Sequence, residues 1–171
     1  MERNTRETMA FKNSYLFEAF DSAGNLKWSE QIDNIVVNVG LDDVLDKYLK
    51  GSGYTASFFV GITDGTPTPA ATDTMASHPG WTEVVAYSEG TRPALVLGAV
   101  SGQSVDNSAS KAVYSVTSDS TTIGGAFLVT DGTKGGSTGT LYSVAAFQAG
   151  DKGLDNGDTL NVTVTCTSAA S

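Results

Sequence analysis

The chain has 171 residues, a single cysteine and a net charge of −9, with a pI near 4.3. That length suits one domain, or one domain with an arm, and lets the chain bury roughly 70% of its unfolded surface without staples. One cysteine excludes an intrachain disulfide and cysteine-based zinc sites, and no run approaches the roughly 18 to 20 apolar residues of a membrane span.

The cations are scattered: beyond Lys50 there are only Arg92, Lys111, Lys134 and Lys152. A nucleic-acid binder needs clustered cations to displace counterions from phosphate, so neither nucleic acid nor membrane is an expected partner. The opening MERNTRETMAFKNSY has no apolar h-region and is not expected to act as a secretory signal. Residues 1–13 are polar and read as a flexible arm that could order on a partner.

From residue 14 the pattern alternates. SYLFEAF and LKWSEQI flank the turn residues DSAGN and predict a hairpin, and NIVVNV extends the β character. GLDDVLDKYLKG then changes period. Leu41, Val44, Leu45, Tyr48 and Leu49 fall on one face of a short amphipathic helix near 41–50, with Asp42 and Asp43 in its first turn and Gly51 placed to end it.

Everything after Ser52 reads as all-β. Predicted strands are ASFFVGIT, WTEVVAYS, ALVLGAV, KAVYSVTS, TIGGAFLVT, LYSVAAFQ and DTLNVTVTCT. The links between them, among them SGQSVDNSAS and AGDKGLDNGD, are rich in Gly, Ser, Asp, Asn and Pro, the residues of turns. No helix follows each strand, which excludes a βαβ fold. The fold class predicted is all-β: a jelly-roll-like antiparallel β-sandwich over 14–171, with an extended N-terminal arm and one short α-helix. Trp28 and Trp81 are expected in its core, and Cys166 as a small strand residue.

Candidate chemistry is thin. The one histidine, His78, sits in FVGITDGTPTPAATDTMASHPGWTEV beside Pro79, and reads as a loop residue at the end of a short turn capped by Asp73. A catalytic base needs a nucleophile and an orienting acid, and none is placed for it. DGTKGGSTG lacks the G-K-[ST] order of a phosphate loop. Asp151, Asp155 and Asp158 could hold calcium but lack EF-hand spacing, and such clusters are ordinary turn chemistry. Asn161 opens a glycosylation triplet that means nothing without a secretory signal. Glu83 and Glu89 are not placed as a pair. No enzyme activity and no cofactor are expected.

A rigid acidic β-body with an arm fits a structural or interaction protein. The block GITDGTPTPAATDTMASHPGWTEVVAYSEGTRPAL resembles small structural proteins of tailed bacteriophages, as do AFLVTDGTKGGSTGTLYSVAAF, the closing GDTLNVTVT and the earlier FEAFDSAGNLKWSEQIDNIVVNVGLDDVLDKYLKGS. The resemblance covers nearly all the chain after Phe11 and is to capsid cement or decoration proteins. It implies a jelly-roll-like sandwich on the outer surface of an assembled capsid, present in the host cytoplasm during assembly. The partners implied are the major capsid protein and further copies of the chain, in dimers or other symmetric clusters.

Three contact elements are expected. The first is the arm, with Arg3, Arg6, Phe11 and Lys12 as anchors, whose alternative is simple disorder. The second is the loop 64–80, where Pro67, Pro69 and Pro79 lower the entropy cost of binding. The third is the Gly-rich tip 131–139, whose alternative is a plain turn. The rival readings are a tail or fibre component and a carbohydrate- or calcium-binding β-sandwich.

Overall fold

The computed structural model describes residues 9–54 and 57–170. Two stretches dominate the fold: β1 (Met9–Phe20) and β11 (Thr159–Ala170), which pair antiparallel along their full length from Met9↔Ala170 to Phe20↔Thr159. Alternation explains the pairing. Asn13, Tyr15, Phe17 and Ala19 point to one side and are buried, and Leu160, Val162 and Val164 match them from β11. β2 (Leu26–Asp33) joins β1 through a turn in which the Asp21 carboxylate accepts the Ala23 and Asn25 N–H groups. β5 (Ser104–Asp106) and β6 (Ala112–Ser115) pair with the outer edge of β11.

The facing sheet has the order β3-β9-β8-β4, from Ile35–Val36, Leu141–Ala146, Gly125–Val129 and Phe59–Thr63. A small two-stranded ladder joins β7 (Thr121–Ile123) to β10 (Lys152–Leu154). The result is the expected all-β antiparallel sandwich. Its main core closes by aromatic edges, Phe17 on Phe147 at 4.7 Å and Tyr87 on Tyr114 at 5.0 Å. The Tyr114 hydroxyl crosses between the sheets to the Val60 carbonyl at 2.7 Å.

The second sheet is buried on both faces. Ala126 and Leu128 look into the main core, while Phe127 and Val129 face a second core with Met75 and Trp81. The segment 64–81 is folded over that second face. This corrects the expectation for WTEVVAYS. Trp81, Val84 and Tyr87 are buried three residues apart, so the segment packs as a covering loop with single bridges at Glu83 and Tyr87, not as a period-two strand. ALVLGAV is likewise no strand; it holds only the bridge from Ala94 to Phe59. Conversely, β5 and β10 form inside stretches read as links, because β11 and β7 have backbone groups that need partners.

Residues 9–13, expected within a mobile arm, belong to β1, since β11 supplies their ladder. The rest of that arm, with Arg3 and Arg6, lies outside the described residues. The helix begins earlier than expected, as α1 (Asn38–Val44), and widens into a π-helical turn over Leu45–Leu49. Asp42 and Asp43 therefore stand beyond its first turn. Gly51 ends it with φ +80°, as expected. Gly40 sets where the helix lies: a Cβ there would stand 2.4 Å from the Tyr142 carbonyl oxygen, so only glycine lets α1 rest on β9. Among the described residues, no helix is long and apolar enough to cross a membrane.

Candidate functional site: an apolar groove at the open end of the sandwich

At one end the two sheets part and leave a groove of about 750 Å³. The helix forms one wall, with Leu41, Val44, Leu45, Tyr48 and Leu49, the five residues of its amphipathic face. The projecting end of the β1–β11 ribbon forms the opposite wall with Phe11, Cys166 and Ser168. Leu128 and Tyr142 make the floor, and Phe58, Leu95 and Leu97 close one side.

A helix face of this kind ordinarily packs on a core. Here much of it is bare: Tyr48 is 84% exposed, Leu49 65%, Leu45 55%, and neighbouring Tyr54 72%. Single exposed apolar residues are ordinary, whereas a contiguous group rimmed by polar residues marks a docking surface. The π turn also fits such a place, because the wider turn is found at functional sites more often than elsewhere. Its end is pinned by Asp46, whose carboxylate accepts the Lys50 ammonium and the Ser52 hydroxyl.

Two ionisable groups in the groove are partly shielded from water. Burial pushes the Cys166 thiol up to about 11. Burial, helped by the charges of Cys166 and Asp43, pushes the Tyr142 hydroxyl up to about 12. Polar groups at its rim are few: Asp43, Lys47 and Ser168. Such walls offer area and shape and little hydrogen bonding.

Of the expected anchors that fall among the described residues, only Phe11 reaches the groove, where it lines this protein's own wall. Lys12 is exposed on the opposite face of β1. The loop 64–80 is locked onto the body. Pro67 is buried, with its Cδ where a Cβ on Gly124 would stand, Pro69 is half-buried and Pro79 exposed, and none of the three lines the groove. Pro67 is thus a packing residue, not a free contact. Asp73 does not cap the turn that follows it. Its carboxylate accepts the Ala70 N–H and the Trp81 indole N–H, both at 3.0 Å. His78 stacks on Trp81 at 3.7 Å with Nδ1 3.0 Å from the Trp81 carbonyl.

The Gly-rich tip is held by a buried ion pair. Arg92, with no exposed side chain, meets Glu83 through two contacts of 2.8 and 2.7 Å and donates to the carbonyls of Asp131 and Gly136. The acidic loop is also committed. Asp151 accepts from Thr66, while Asp155 and Asp158 both face Lys27. Among the described residues, no three His, Cys, Asp or Glu side chains converge as a metal site would need.

Sequence reading found the helix face but not what stood opposite it. The signal for the rest was the apolar run ALVLGAV, whose Leu95 and Leu97 supply a wall. In comparison with known proteins, the chain matches no family model, no curated protein and no solved structure.

Proposed function

We propose that this protein is a structural virion component. It binds the outer surface of an assembled tailed-phage capsid and cements neighbouring capsid subunits. The observation that carries the reading is the apolar groove that the described residues leave open on an acidic sandwich. An apolar wall with few polar groups suits a protein partner better than a sugar, which needs dense hydrogen bonding.

Covering the exposed parts of Leu41, Leu45, Tyr48, Leu49 and Tyr54 contributes on the order of 6 kcal/mol, at about 2 kcal/mol for each side chain fully buried. Association itself costs about 4 kcal/mol or more, so one such contact is weak alone. A copy that touches two or three subunits, or a sister copy as well, gains by effective concentration. Binding the lattice and not free subunits stabilises the assembled shell by linkage. The net charge of −9 discourages non-specific adsorption to nucleic acid.

The test has two arms. Quantitative mass spectrometry of purified virions should find the chain in a ratio near one to one with the major capsid protein. Leu45→Asp and Tyr48→Asp, at exposed positions, should leave the melting temperature nearly unchanged and weaken attachment to capsids stripped of the protein at least about tenfold. Absence from virions overturns the virion assignment. Full occupancy by both variants overturns the groove as the contact.

A further inference from the structure

The geometry points to the kind of occupant: the groove accepts an extended segment of another polypeptide, which adds as a strand to the edge of β1 at Met9–Lys12, an edge that no strand among the described residues pairs. This rests on reading the groove as a protein-docking site. β1 is paired on both sides only from Ser14 onward, because β2 makes its last pairing there through Asp33 and then leaves for the other sheet. Asn13 shows which way the backbone faces at that point. Its carbonyl accepts the Asn34 N–H at 3.1 Å, and its own N–H donates to Asn34 Oδ1 at 2.9 Å.

Backbone groups alternate along an antiparallel strand, so Phe11, two residues earlier, turns its N–H and C=O to the same side. Among the described residues, no strand meets them there. The Asn34 Nδ2, at the head of this edge, is buried and without a hydrogen-bond partner among the described residues. The Phe11 side chain lies in the groove. The inward side chains of a strand laid beside Phe11 would share that face and enter the groove. The other side is closed by Leu95 and Leu97, next to Gly98, whose N–H bonds to β5 at Asp106. Backbone pairing and apolar area thus meet along one edge, and together they select an extended segment with alternate apolar residues.

The probe is a capped peptide of about seven alternating valines and threonines, with a lysine at each end for solubility. Hydrogen exchange of the Phe11 amide in the full chain should slow at least about tenfold on saturation, and alkylation of Cys166 should slow with it. Two variants separate backbone from side chain. Phe11→Ala keeps the outward N–H. Phe11→Pro removes it without touching the ladder to β11, and should bind at least about tenfold more weakly than Phe11→Ala. Each variant's melting temperature confirms that it is folded. Protection of Cys166 without protection of Phe11 overturns strand addition and leaves the docking groove standing. No protection of either at millimolar peptide overturns both. Protection of Phe11 that rises with protein concentration alone assigns the edge to a second copy of the chain, and also overturns the proposal.

Discussion

Replacing Arg92 by alanine tests what holds the Gly-rich tip to the body. The Arg92 side chain is fully buried and that of Glu83 is 7% exposed, so the pair is shielded from water. The guanidinium spends its donors on both Glu83 oxygens and on the carbonyls of Asp131 and Gly136, all within 2.8 Å. Its Cζ lies 5.3 Å from the Phe127 ring centroid, which joins the clasp to the second core. Removing one member of a buried pair leaves the other charged and unpaired, a loss of about 3–5 kcal/mol. For a chain of this size that is a fall of about 10 °C in melting temperature. Urea unfolding followed by circular dichroism reads it directly, provided the slope is unchanged. Glu83→Ala alone should cost a similar amount. The double variant should lose well under the sum, because neither charge is then stranded. A loss below about 1 kcal/mol for Arg92→Ala, or strict additivity of the two changes, would refute the reasoning.

Three further outcomes are expected. Gly40→Ala places a Cβ 2.4 Å from the Tyr142 carbonyl oxygen, so it should destabilise by about 1–3 kcal/mol and open the helix wall, seen as greater binding of an apolar dye; a neutral result counts against the close packing of α1 on β9. Hydrogen bonds from Thr133, then Thr138, with the Arg92 charge, hold the Asp131 carboxyl at about 2 against its ordinary 3.8. A depressed folded value means the stabilisation is present above about pH 4 and lost as pH falls toward 2. The gap in melting temperature between the native chain and Asp131→Asn should therefore narrow over that window, and a constant gap would remove the effect. The Cys166 thiol, raised from 9.0 to about 11 by burial, stabilises the fold fully below pH 9 and loses that contribution as pH climbs to 11. At pH 8 its alkylation should run about a hundredfold slower than in urea-unfolded chain, and equal rates would mean that the thiol is not buried.

Period-two patterning by itself determined β2, β6, the part of β1 from Ser14 onward and the part of β11 up to Thr167, because each faces one core and its alternation must follow the pleat. The sequence also marked the helix face and its end at Gly51, since a positive φ there requires glycine. It failed at WTEVVAYS and ALVLGAV. Both are apolar enough for strands, yet whether an apolar run becomes a strand depends on a neighbouring edge to take its backbone bonds. That edge is a property of the folded sheet, not of the run. The short β5 and β10 are the converse: little in their residues calls for a strand, and a waiting edge makes one. The groove was beyond local reading for the same reason. Leu45 and Tyr48 declare an apolar face, but only the tertiary arrangement decides that no described residue covers it, and that, among the described residues, no strand follows β2 beside the backbone of Phe11. Arg92 and Glu83 were individually visible as charges. Their burial as a pair follows from a covering loop and a hairpin tip meeting in space, which sequence spacing does not record.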